Sequence, residues 1–68
     1  MEERRIGFVQ FWDRGRGFGF IVPLGGEEPV HVQLKDLEGD CKSLSTDQQV
    51  TFVLALGAGR FEARRVRP

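Results

Sequence analysis

An all-β fold of five short antiparallel strands rolled into a small barrel is what this sequence predicts, on three observations. Apolar residues recur with period two over short spans, as half-buried strands require. Clusters of Gly, Pro, Asp and Ser break those spans roughly every ten residues, a spacing typical of all-β folds. No window keeps a 3.6-residue repeat over twelve or more positions, which sets aside helical and α/β architectures.

The first strand runs from about Arg5 to Trp12, "RIGFVQFW", and "DRGRG" supplies turn residues after it. The second is "GFGFIV", residues 17–22, closed by Pro23, which cannot donate to a ladder. "LGGEEP" makes a hairpin turn into a short third strand, "VHVQ", residues 30–33. Residues 34–48 form a long polar connection with one helical turn at "LKDL". The fourth strand is "VTFVLAL", residues 50–56, and "GAG" turns the chain into the last, "RFEARRV", residues 60–66. Five such strands around one core suit a partly open barrel of the OB type, because closure removes edges that a flat sheet would expose.

With 68 residues the chain makes one domain, residues 1–68. A domain this small buries only about 60% of its unfolded surface, so a second core is excluded. The single Cys41 rules out an intramolecular disulfide and fits a reducing cytoplasm. No apolar run approaches the roughly 20 residues of a membrane span, and the charged start "MEERR" lacks the apolar centre of a secretion signal. A cytosolic protein without membrane partners is expected. Ten basic and ten acidic residues cancel, so bulk charge gives no sign of a nucleic-acid partner. Their distribution says more: residues 1–20 carry a net +1, residues 21–50 a net −4 and residues 51–68 a net +3, so the ends are basic and the middle acidic. If the two ends pair as neighbouring strands, their arginines, among them Arg4, Arg16, Arg60, Arg64, Arg65 and Arg67, make a positive rim on a neutral molecule.

Side chains alternate across a strand, so "GFGFIV" turns Gly17, Gly19 and Ile21 inward and Phe18, Phe20 and Val22 outward. In "VHVQ" Val30 and Val32 must face the core, since the other parity buries His31 and Gln33 without partners. His31 and Gln33 then share the outer face with Phe18 and Phe20. "QFW" sets two large aromatics in a row, so one of Phe11 and Trp12 lies off the core face or at a bulge, and at least one joins the outer patch. Phe8, Phe52 and Phe61 are expected in the core. Exposed aromatics alternating with glycine, flanked by Arg16, suit flat ligands: bases stack on such rings for about 1–3 kcal/mol each, and Arg16 can meet phosphate. Paired bases hide their faces, so the ligand implied is single-stranded nucleic acid.

"RGFGFI", residues 16–21, resembles the first ribonucleoprotein motif of cold-shock domains. The likeness extends both ways: "GFVQFWDRGRGFGFI" resembles that family's opening strands, "VHVQ" its second motif and "DQQVTFVL" its Gly-Gln-x-Val-x-Phe stretch. RNA-recognition-motif domains share "RGFGF" but need two helices and a longer chain. The resemblance implies a five-stranded barrel that binds single-stranded RNA or DNA through surface aromatics, with no catalysis and no cofactor. By position, Phe18 and Phe20 match stacking residues, Phe11 replaces the stacking Trp and Trp12 the Phe after it. Gln10 stands where the family has Lys, His31 replaces a Phe, Gln33 a His and Leu34 a Phe, while Cys41 takes roughly the place of a further aromatic. Arg60 and Arg64 add charge near the last strand. Two lost stacks lower affinity by one to several decades, which predicts micromolar, salt-dependent binding of pyrimidine-rich strands in an RNA-chaperone or regulatory role.

The alternative is a diverged barrel whose apolar patch serves a protein partner or self-association, with a homodimer by strand exchange open to it. An enzyme is the third reading and the weakest. One histidine and one cysteine cannot build a multi-ligand zinc site, and "GRGFGF" is too short for a phosphate loop and lacks its Lys-Ser/Thr. His31 with Asp36 could form an acid–base pair, but a lone histidine in a strand is far more often a contact residue. Cys41 is expected to be an inert loop residue.

Overall fold

The computed structural model describes residues 4–25 and 28–68. The middle of the "LGGEEP" turn, residues 26 and 27, and the first three residues lie outside that range. Five strands follow one another: β1 (Arg4–Asp13), β2 (Phe18–Pro23), β3 (Val30–Gln33), β4 (Gln49–Leu56) and β5 (Phe61–Arg67), with one 3-10 turn at Leu34–Asp36. They close into a barrel in the order β1-β2-β3-β5-β4, the OB-type arrangement. Four seams are antiparallel, as predicted, and the fifth, between β3 and β5, is parallel with His31 opposite Glu62. An odd number of strands cannot alternate direction all the way round a ring, so one seam must be parallel. A bridge between Leu37 and Val66 extends it. Among the described residues no helix is long and apolar enough to cross a membrane.

The core is Val9, Trp12, Ile21, Val30, Val32, Leu44, Val50, Phe52, Ala63 and Val66. Leu44 enters it from the long connection, and Cys41 packs half-buried against it with its thiol 3.4 Å from the Ser43 carbonyl. Phe52 is fully buried, but Phe8 is 40% and Phe61 56% exposed, against the expectation that both are core. Parity explains Phe8. Gly7 and Val9 take the inward positions, and a Cβ on Gly7 would lie 2.7 Å from Ile21 Cγ2, so the backbone there is already in contact and Phe8 must turn out. Phe61 shares the inward parity of Ala63 but sits past the end of the packed core.

Two bulges shape the barrel. In β1 the register shifts between Val9 and Phe11, leaving Gln10 as the extra residue. In β5 the shift falls opposite Phe52, where Arg65 adopts the left-handed region at φ 54°. The two ends of the chain do not pair as neighbours, because β4 lies between β1 and β5. The expected positive rim is therefore corrected. Glu38 in the long connection gathers Arg65 at 3.1 Å, Arg67 in a closer hydrogen bond and Arg4 at 4.0 Å. Glu62 holds Arg64 at 3.0 Å and lies 3.8 Å from Arg60.

Candidate nucleic-acid interface

The outer face of β1, β2 and β3 carries a connected set of rings. Registers place Phe11 opposite Phe20, Phe20 opposite His31, and Phe18 opposite Gln33. Phe18 meets Phe11 edge-on at 6.1 Å between centroids and Phe20 at 6.2 Å, while His31 stacks against Phe18 at 5.7 Å with 26° between planes. Phe20 closes the group edge-on to His31 at 5.6 Å. β2 alternates as read from its sequence: Gly19 and Ile21 are buried, and Phe18, Phe20 and Val22 are partly exposed on the other side.

The bulge at Gln10 decides the "QFW" question. Beyond it Phe11 faces outward, 44% exposed, and Trp12 turns into the core at 9%. Trp12 stands opposite Gly19, and a Cβ there would come within 2.9 Å of its ring carbon Cε3 and 2.1 Å of the Phe11 carbonyl. That glycine is therefore what admits the indole. Trp12, expected among the contact residues, is kept from the outer face by this packing, and its Nε1 is buried without a hydrogen-bond partner. Gly17 lies in the turn rather than in the strand, with φ 72° and its N–H donating to the Asp13 carbonyl at 2.8 Å.

His31 is only 7% exposed although it belongs to the outer face, because Phe18, Phe20 and Arg60 cover it. Arg60 Nη2 lies 3.4 Å from His31 Nδ1. A guanidinium can only donate, so Nδ1 accepts and the ring proton belongs on Nε2. Burial holds the imidazole below its ordinary pKa and the Arg60 charge adds to this, against the opposing pull of Glu62 and Asp36. The ring is neutral at pH 7.

Around the rings lie two shallow cavities. One, of about 450 Å3, is lined by Arg16, Phe18, His31, Gln33, Leu34, Lys35 and Arg60. Lys35 was missed by the sequence reading, which treated "LKDL" only as a helical turn; its signal is its place directly after the contact run. The other, of about 440 Å3, joins Gln10 and Phe20 to Glu28 and Pro29. Leu34 is exposed and donates its N–H to the Gly17 carbonyl at 2.8 Å, locking the 3-10 turn beside the second strand's entry. Gln33 donates its N–H to Asp36 Oδ2 at 3.4 Å. Arg16 is exposed, and its backbone N–H donates to Asp13 Oδ1 at 3.0 Å. Arg64 is half-buried, bound to Glu62 and 4.0 Å from Asp36, and it lines neither cavity. The geometry thus brings Phe11, Phe18, Phe20, His31, Gln33, Leu34, Arg16 and Arg60 together, puts Gln10 at one margin, and leaves Trp12 and Arg64 aside.

Comparison with known proteins agrees with this geometry. Residues 5–68 match the family model described as the 'Cold-shock' DNA-binding domain. The chain is 39% identical over 64 residues to cold shock protein CapA of Pseudomonas fragi, covering 93% of this chain and 100% of the relative. It is 38% identical over 58 residues to the cold shock-like protein CspB of Yersinia pestis, covering 84% and 83%. With the major cold shock protein CspA of Pseudomonas aeruginosa it shares 34% identity over 68 residues, covering 98% and 97%. A five-stranded barrel with this motif-bearing aromatic face, matched over nearly its full length, places the chain in the cold-shock domain family.

Proposed function

We propose that this chain is a single domain that binds single-stranded RNA or DNA in the cytoplasm by stacking bases on Phe11, Phe18 and Phe20, and that it acts by binding rather than by catalysis. The observation that supports this most is the connected ring set on three adjacent strands, two of them flanked by glycine and bordered by Arg16, Lys35 and Arg60. Each ring offers a π-face to any base, so the surface tolerates sequence and favours unpaired strands. A protein that holds unpaired strands keeps RNA from forming secondary structure, which is the chaperone or regulatory role proposed.

Affinity is expected to be micromolar. His31 is covered and Leu34 offers no ring, so about two stacks of 1–3 kcal/mol each are absent from the surface. The test is a titration of labelled hexathymidine and hexauridine followed by fluorescence anisotropy. Trp12 is a poor reporter because its indole lies inside the barrel. Micromolar binding that weakens with salt supports the proposal; no binding up to high micromolar would refute it. A second reading, a protein-interaction or self-association module, is favoured by the exposure of Ile6, Phe8 and Leu24 away from the rings. Concentration-dependent sedimentation would support it. A homodimer by strand exchange through β1 would have to break two ladders, since β1 pairs with both β2 and β4.

A further inference from the structure

Inward-facing residues continue past the packed core where β4 and β5 meet. Leu56 and Phe61 share the parity of Phe52 and Ala63, yet they are 71% and 56% exposed. With Pro29 they line a cavity of about 610 Å3 at the mouth of the barrel, and Arg5, Arg60 and Glu28 stand at its rim.

We propose that this mouth receives one further base of the same single strand that lies on the aromatic face. The inference rests on the base-stacking reading above. Continuity carries it first: Arg60 lines both the ring-bearing cavity and the mouth, and its guanidinium reaches His31 Nδ1 at 3.4 Å. A strand that leaves His31 therefore passes Arg60 and meets Phe61 next. Chemistry carries it second. Phe61 and Pro29 line the cavity with apolar surface on which a base can rest, and Arg60, 3.8 Å from Glu62, stands beside Phe61 as a guanidinium that can still donate to a phosphate. Glu28 can accept an N–H from the base edge, which an all-apolar mouth could not do.

The experiment is a series of oligothymidines from about four to about nine nucleotides, titrated into the full chain and into Phe61→Ala by anisotropy. Circular dichroism confirms that the variant folds, as the exposure of Phe61 leads one to expect. Wild type should gain affinity with each added nucleotide until the mouth is filled. Phe61→Ala should match it on short strands and lose the last increment, about fivefold or more. Wild type binding with no difference at any length would overturn the mouth subsite and leave the base-stacking reading standing. An equal loss at every length would also overturn it, by making Phe61 a support for Arg60 on the ring face. Self-association of wild type that Phe61→Ala abolishes would assign the mouth to a second copy instead. If wild type binds no oligothymidine, this inference and the reading beneath it fail together.

Discussion

His31 shows how one side chain can belong to a surface and still be buried. Its Cα lies on the outer face of β3, but Phe18 stacks over the ring, Phe20 meets its edge and Arg60 donates to Nδ1. Protonation would turn that acceptor into a donor facing a guanidinium, and burial disfavours the added charge as well. The folded pKa therefore lies below the ordinary 6.5, with burial the larger cause. The unfolded chain then binds the proton more readily than the folded one, so His31 adds stability above about pH 6.5 that is lost as pH falls through the folded value. The carboxylates of Glu38 and Glu62 are held below their ordinary 4.5 by arginine hydrogen bonds, so their contribution is lost only in a lower window, below about pH 4.5. Urea unfolding at pH 7.5 and pH 5.5 should show wild type losing stability between the two, and His31→Gln losing less. Identical pH dependence in both would contradict the buried, neutral assignment.

At the scale of the element, β1 does two jobs because a bulge resets its parity. Before Gln10 the strand packs Gly7 and Val9 inward; after it, Trp12 faces in and Phe11 out. Trp12→Ala should cost about 3–5 kcal/mol of stability, as emptying a large core site does. Phe11→Ala should cost less than about 1 kcal/mol yet weaken hexathymidine binding about fivefold or more, both read by denaturant unfolding and anisotropy. Much of this element was legible in the sequence. The adjacency of Phe11 and Trp12 required a bulge or a split, and Gly19 hinted at close approach. Which of the two rings goes inside was not legible, because it depends on the cross-strand partner: only Gly19 opposite Trp12 leaves room for an indole. Phe8 and Phe61 were misplaced for a related reason. Large apolar identity argued for the core, but parity at Gly7 and Val9, and the position of Phe61 beyond the last packed layer, overruled it.

Taken whole, the molecule is neutral yet has its cations sorted by the fold. Glu38 reaches back from the long connection to Arg4, Arg65 and Arg67, contacts that exist only once the barrel has closed, while Glu62 holds Arg64 two residues along the same strand. Charge blocks along the chain were visible in the sequence, but the meeting of Arg4, Arg65 and Arg67 at Glu38 was not, because the two ends are not neighbouring strands and it is the long connection that brings the carboxylate to them. Arg16, Lys35 and Arg60 remain beside the rings. Three such cations on a single strand predict a log–log salt slope of about −2, hence roughly 15–20-fold weaker binding at 200 mM than at 50 mM salt. A slope near zero, or several times steeper, would contradict the assignment of these three. The most direct test of the central claim compares hexathymidine binding by wild type and by Phe18→Ala/Phe20→Ala, with denaturant unfolding of both. Stacking on the outer rings predicts that the double variant folds with a modest loss of stability and binds at least about 20-fold more weakly. Undiminished binding by the folded variant would show that these rings do not hold the bases, and an unfolded variant would show that they belong to the core.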